Sequence, residues 1–169
     1  MGEHECEWPE FLVRFGGSPD NGRRRRLVVG LAQVLWLLAQ VGCRMVIVDG
    51  SFVSRERWPR DFDLCYEAQG VRLELLPLVL LDFSAGRSAQ KRRFGGEALP
   101  ADFPFEANGR TVRQAFGFSR EGAPKGVIRL EMEVITEQVR EFLEQLAGQG
   151  ALSGDFYGTA NDETAGSRA

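Results

Sequence analysis

The chain has 169 residues, 43% of them hydrophobic and 27% charged, which is ordinary for one domain with a sizeable core. A net charge of −3 supplies no global positive field to recruit nucleic acid, although basic residues cluster locally. The only histidine is His4, which argues against Ser-His-Asp, Cys-His and histidine-rich zinc chemistry and leaves carboxylates, Lys or Arg and hard metal ions.

In chain order, residues 1–22 read as an N-terminal lead-in with Trp8, Phe11, Leu12 and Phe15 as packing anchors. Gly16 to Gly22 is rich in turn residues. A helix is expected from Arg23, because Leu27, Leu31, Val34, Leu35, Leu38 and Val41 recur at three- and four-residue steps before Gly42. Met45–Val48 is a short β-rich apolar run suited to a buried strand, and it ends at Asp49-Gly50-Ser51. Residues 52–60 form a connector with room for one helical turn. A second strand is predicted from Asp61 to about Glu67.

Val71–Phe83 is apolar and open between helix and strand, with Pro77 against either. Ser84–Phe94 reads as a basic helix closed by Gly95-Gly96. Residues 98–106 suggest a third strand, 111–118 a short helix and 125–133 a fourth strand. Ile135, Val139, Phe142, Leu143 and Leu146 mark a last helix, with Gly148 at its end. The domain proper is expected over 23–148, and 149–169, rich in small and polar residues, is expected to be a disordered tail. The alternation gives an α+β class, a mixed β-sheet flanked by helices.

Three cysteines (Cys6, Cys43, Cys65) without a CxxC pair point to reduced thiols and a cytoplasmic location. The start of the chain is acidic and polar, unlike a secretory signal. Gln33 and Gln40 break the longest apolar stretch, so no membrane span is expected.

The chemistry concentrates between Val46 and Tyr66. An apolar strand runs into Gly50-Ser51, nine residues follow, and then comes Asp61-Phe62-Asp63-Leu64. Strand side chains alternate, so Asp61 and Asp63 project together while Phe62 and Leu64 face the core. Two carboxylates so placed can share Mg²⁺ or Mn²⁺ with phosphate oxygens. Gly50, lacking Cβ, lets an anion approach the backbone, and Ser51 adds a hydroxyl and free N–H groups.

Gly-Ser, nine residues, then Asp-Phe-Asp-Leu resembles the signature of the DNA polymerase beta-like nucleotidyltransferase superfamily. More closely, the chain is similar to an uncharacterised family of small bacterial proteins with that core. The shared stretches are Trp8-Pro-Glu-Phe, Arg14-Phe-Gly, Asp49-Gly-Ser-Phe-Val-Ser, Pro59-Arg-Asp-Phe-Asp, Leu80-Leu-Asp-Phe, Ala89-Gln-Lys, Gly95-Gly-Glu and Lys125-Gly-Val-Ile, between about Trp8 and Met132. The resemblance implies a nucleotidyltransferase-like sheet, Gly50 and Ser51 on a nucleoside triphosphate, and Asp61 and Asp63 on Mg²⁺. It also implies a third carboxylate from a later strand. Asp102 is the first choice, followed by Glu97 and Asp82.

Lys91 and Lys125 are candidates to neutralise phosphate charge; Lys91 is equally readable as part of a charged outer helix face, and Lys125 as an ordinary strand-edge lysine. Arg23–Arg26 reads first as a solvated helix start; because four cations there oppose the helix macrodipole, an acidic partner or a phosphate nearby is the other reading. Cys65 shares strand parity with the aspartates, so it either borders the site or is a small buried residue. The expected activity is metal-dependent nucleotidyl transfer to an RNA or protein acceptor. The alternative is a catalytically silent module of the same fold that binds a partner, for example in a toxin–antitoxin or phage-defence pair. A plain RNA-binding domain is disfavoured by the acidic balance.

Overall fold

The computed structural model describes residues 2–18, 20–105, 109–119 and 121–151. Most of the expected tail, 152–169, lies outside them. The elements in chain order are β1 (Glu3–Glu5), α1 (Trp8–Phe15), α2 (Gly22–Gln40), β2 (Met45–Asp49), β3 (Phe62–Tyr66), α3 (Leu78–Leu81), α4 (Ser88–Phe94), β4 (Gly96–Pro100), α5 (Val112–Ala115), β5 (Val127–Glu131) and α6 (Met132–Gly148). The five strands form one mixed sheet of order β1-β5-β2-β3-β4. β1 runs parallel to β5 and β4 parallel to β3, whereas β2 is antiparallel to both of its neighbours. The fold is α+β.

Strand alternation divides the sheet into two faces. Val46, Val48, Phe62, Leu64, Ala98, Ile128 and Leu130 point to one face and meet α1, α2 and α6 in the main core. Met45, Ile47, Cys65, Leu99 and Val127 point to the other, where Val112 of α5 and Ala101 close a smaller cluster. Burial pushes the Cys65 thiol up to about 12, so it is an inert packing residue rather than part of a reactive edge.

Residues 1–22 carry β1, α1 and the start of α2, with Trp8 and Phe11 as packing anchors. The stripe of α1 that repeats every three to four residues drives Trp8 and Phe11 into the core at 1% and 0% exposure, and β1 adds an edge strand beside β5. Pro77 fits between a 3-10 turn and the short α3, so the ambiguous stretch is broken helix, not strand. Strand β4 starts at Gly96, two residues before the expected start, because α4 ends in a left-handed Gly95 and the chain reverses into the sheet at once. Gly96 is required there: a Cβ would lie 2.4 Å from the Phe62 ring.

Candidate functional site

The site lies at one end of the second sheet face, where α5 no longer covers it. The register pairs Asp49 with Asp63 across β2 and β3, and Asp63 with Glu97 across β3 and β4. Residues directly opposite in adjacent strands share a face. Three carboxylates from three neighbouring strands therefore stand in a row. Asp61, one strand step before Asp63, adds a fourth charge on the same side.

Asp49 and Glu97 are buried, at 5% and 6% exposure. Burial, then the charges of Asp61 and Glu97, push the Asp63 carboxyl up to about 6. Cations partly offset this concentration of charge. Lys91 Nζ lies 2.8 Å from Asp61 Oδ2 and 3.1 Å from Glu97 Oε2. Burial works against the Lys91 charge, yet its hydrogen bonds to Asp61 and Glu97 prevail and hold it above the usual lysine range. Arg87 donates to both Glu97 oxygens, at 2.9 and 3.0 Å, from a left-handed backbone with φ of 59°. Lys125 Nζ stands 2.9 Å from Asp49 Oδ1, an ion pair off the geometry of a hydrogen bond, so that buried oxygen has no hydrogen-bond donor.

The local sequence explains these positions. Gly50 has φ of 84°, which disfavours a side chain. A Cβ there would also lie 2.2 Å from Asp63 Oδ2, so the glycine lets that carboxylate reach the turn. Ser51 opens a 3-10 turn whose Phe52 is fully buried. Arg24 fixes the segment that follows. It is buried in the first turn of α2, and its guanidinium donates to the carbonyls of Phe15, Phe52, Ser54 and Glu56. Gln90, fully buried, sets α4 against β4: its Oε1 accepts from Ala98 N at 2.8 Å, and its Nε2 donates to Leu80 O. Lys91 is thereby delivered to the acids.

Gly50, Ser51, Asp61, Asp63 and Lys125 line one cavity of about 790 Å³, together with Glu56, Trp58, Arg60 and Ser119. The expected pair Asp61 and Asp63 thus meets the Gly-Ser turn, and both candidate lysines contact carboxylates. Asp102 is not brought there. It is exposed beyond the end of β4, with its charge bearing on Tyr66 at the opposite end of β3. Asp82 is occupied with Ser84, whose N and Oγ donate to it. Glu97, a later choice for the third acid, is the one that stands beside Asp63. Asp49, Arg87 and Arg24 are additions that sequence reading did not single out as site residues. For Asp49 the signal was its place, as the acid that ends the apolar strand directly before Gly50-Ser51.

Four oxygen-donor side chains suit a hard divalent cation such as Mg²⁺ or Mn²⁺ better than a soft metal. Among the described residues no group of three or more His, Cys, Asp or Glu is already gathered at coordinating spacing. In this arrangement ammonium and guanidinium groups hold the carboxylates. The donor types are those such a cation takes, and Lys91 and Lys125 would have to yield their places on the acids to it.

No helix among the described residues is long and apolar enough to cross a membrane. No curated protein and no solved structure matches the chain significantly. One family model does match, over residues 1–131, and the chain belongs to that group, the family of unknown function DUF6932.

Proposed function

We propose that this protein is a nucleotidyltransferase, which moves a nucleotidyl group from a nucleoside triphosphate to a hydroxyl of an RNA or protein acceptor. The observation that carries the reading is the cross-strand row Asp49, Asp63 and Glu97 beside Asp61 and the Gly50-Ser51 turn. Asp61, Asp63 and Glu97 would hold Mg²⁺ or Mn²⁺. When bound, the cation would supply charge neutralisation at the reacting phosphate and orient it.

Each side chain then has a task. Gly50 and Ser51 receive the triphosphate, and Lys125 stands over the same cavity to balance its charge. The acceptor oxygen attacks the α-phosphorus, and a new P–O bond forms as the α–β bridging P–O bond breaks. Pyrophosphate leaves with the electron pair. The hydroxyl proton passes to a carboxylate oxygen of the cluster and on to water. Lys91, between Asp61 and Glu97, keeps the acids close enough to act together.

That same lysine favours the second reading, a silent module that binds a partner. Its ammonium already sits between two of the acids that would share a cation. The two readings separate in one assay. Wild type and an Asp61→Asn/Asp63→Asn variant are incubated with labelled nucleoside triphosphates, Mg²⁺ or Mn²⁺, and bacterial RNA or lysate. Label transfer by wild type, lost by at least about a hundredfold in the variant, is expected. If wild type transfers no label and calorimetry detects no metal-dependent nucleotide binding, the silent module stands instead.

A further inference from the structure

A second, larger concavity adjoins the site through Lys91 and Arg60. A groove of about 1000 Å³ runs between α2 and α4 and reaches the C-terminal part of α6 at Phe142 and Leu146. Its charge is one-sided. Arg23, Arg25 and Arg26 enter it from α2, and Arg92 and Arg93 from α4, while among the described residues no Asp or Glu lines it. Arg60 lines both this groove and the cavity of Gly50 and Ser51. Lys91, which holds Asp61 and Glu97, also faces it. Arg60 and Lys91 therefore link the groove to the site of the carboxylates.

These arginines are not spent on internal ion pairs, although the Arg93 guanidinium lies over the Phe94 ring at 5.3 Å. Arg23, Arg25, Arg26, Arg60, Arg92 and Arg93 are exposed, and none forms an ion pair among the described residues. Arg24 differs, because its inward guanidinium holds carbonyls. The remaining three cations of the α2 N-terminal turn oppose the helix macrodipole, and that turn carries no acid to offset them. A chain of net charge −3 thus gathers unpaired guanidinium groups along a single track.

We propose that this groove binds a single-stranded nucleic acid and is the acceptor site of the activity inferred above, on which this assignment rests. A strand with one phosphate per nucleotide matches a row of guanidinium groups, whose planar forks pair with phosphate oxygens in two-point contacts. The strand enters along α2 and α4, passes Arg60 and Lys91, and presents its terminal hydroxyl to the acids. An acidic peptide would also be attracted. A nucleic acid is favoured because its phosphates repeat regularly along the track and its terminal sugar supplies the hydroxyl that the reaction consumes.

The test measures binding without nucleotide, so that it stands apart from turnover. A fluorescein-labelled RNA of about 12 nucleotides, and the matching DNA, are titrated with the full chain in EDTA and followed by anisotropy. Wild type is expected to bind either strand, with affinity falling steeply as salt rises. An Arg26→Ala/Arg93→Ala variant should weaken binding about tenfold and flatten the log–log salt slope by about 1.4, at roughly 0.7 per lost phosphate contact. Both positions are exposed, and circular dichroism is expected to report an unchanged fold. Failure of wild type to bind either strand at low salt would overturn the assignment. So would unchanged binding by the variant, or displacement of the strand by poly-glutamate at equal charge concentration. If the strand binds and no label is transferred in the assay above, the groove stands and the transferase reading falls. If nucleotide and metal bind but no strand does, only the groove assignment falls.

Discussion

Asp63 is the residue in which the demands of the site are most opposed. Its charged form is disfavoured by burial and by Asp61 and Glu97, so its carboxyl titrates near 6 rather than 3.8. The folded state therefore holds the proton more tightly than the unfolded chain. Stability contributed at this position is present below about pH 4 and lost as the pH rises towards 6, after which the penalty is constant. Two units correspond to about 3 kcal/mol, and partial solvent access brings the expectation to about 2 kcal/mol. In EDTA, Asp63→Asn is thus expected to raise the urea midpoint at pH 8 and to converge with wild type near pH 4. Equal midpoints at pH 8 would contradict the electrostatic account. Glu97 makes the complementary point about legibility. Its alignment with Asp63 was not readable because the sequence states neither which strand lies beside β3 nor in what register.

Among the elements, α2 does more than fill the core. Its buried face was legible from Leu27, Leu31, Leu35 and Leu38. The role of Arg24 was not, since its neighbours Arg23, Arg25 and Arg26 carry the same side chain and face solvent. What distinguishes it is rotation about the helix axis, which turns position 24 towards the loop after Gly50. Four carbonyls accept from one guanidinium there, and a lysine ammonium on a flexible stem cannot reproduce that fan. Arg24→Lys is expected to cost about 2–3 kcal/mol, as buried carbonyls lose their donors. It should also weaken metal-dependent nucleotide binding by displacing Gly50 and Ser51. Urea denaturation and calorimetry check the two effects, and wild-type values in both would refute the positioning role. The boundary of β4 was misread for a related reason. Gly95-Gly96 marks a helix end, yet only the packing of Phe62 against Gly96 makes the second glycine the first residue of a strand.

For the whole molecule, the chain ends matter more than composition suggests. Trp8 stacks on Phe11 at a centroid distance of 5.4 Å and meets Phe142 of α6 edge-on at 5.5 Å. The α1 segment is therefore sealed between α6 and the buried Phe52, whose ring lies 6.0 Å from that of Phe11. Removing residues 1–16 deletes both buried aromatics, each worth about 3–5 kcal/mol, from a domain with a total stability of about 5–15 kcal/mol. The truncated chain is expected to lose its cooperative thermal transition in circular dichroism. A transition at the full-length temperature would show the opening residues to be dispensable.

From residue order alone, periodicity determined α2, β2, β3 and α6, because burying one face forces apolar residues to recur at 3.6 or 2 residues. The alternation of Asp61, Phe62 and Asp63 likewise determined which side chains share a side. The partners of that side came only with the tertiary structure. Glu97 rather than Asp102 came to stand beside Asp63, Asp49 joined the row, Lys91 bridged two acids, and the exposed arginines of α2 and α4 gathered around one groove. The physical reason is the same in each instance: these relations join residues far apart in the chain, through strand register and helix rotation, and no local pattern encodes either.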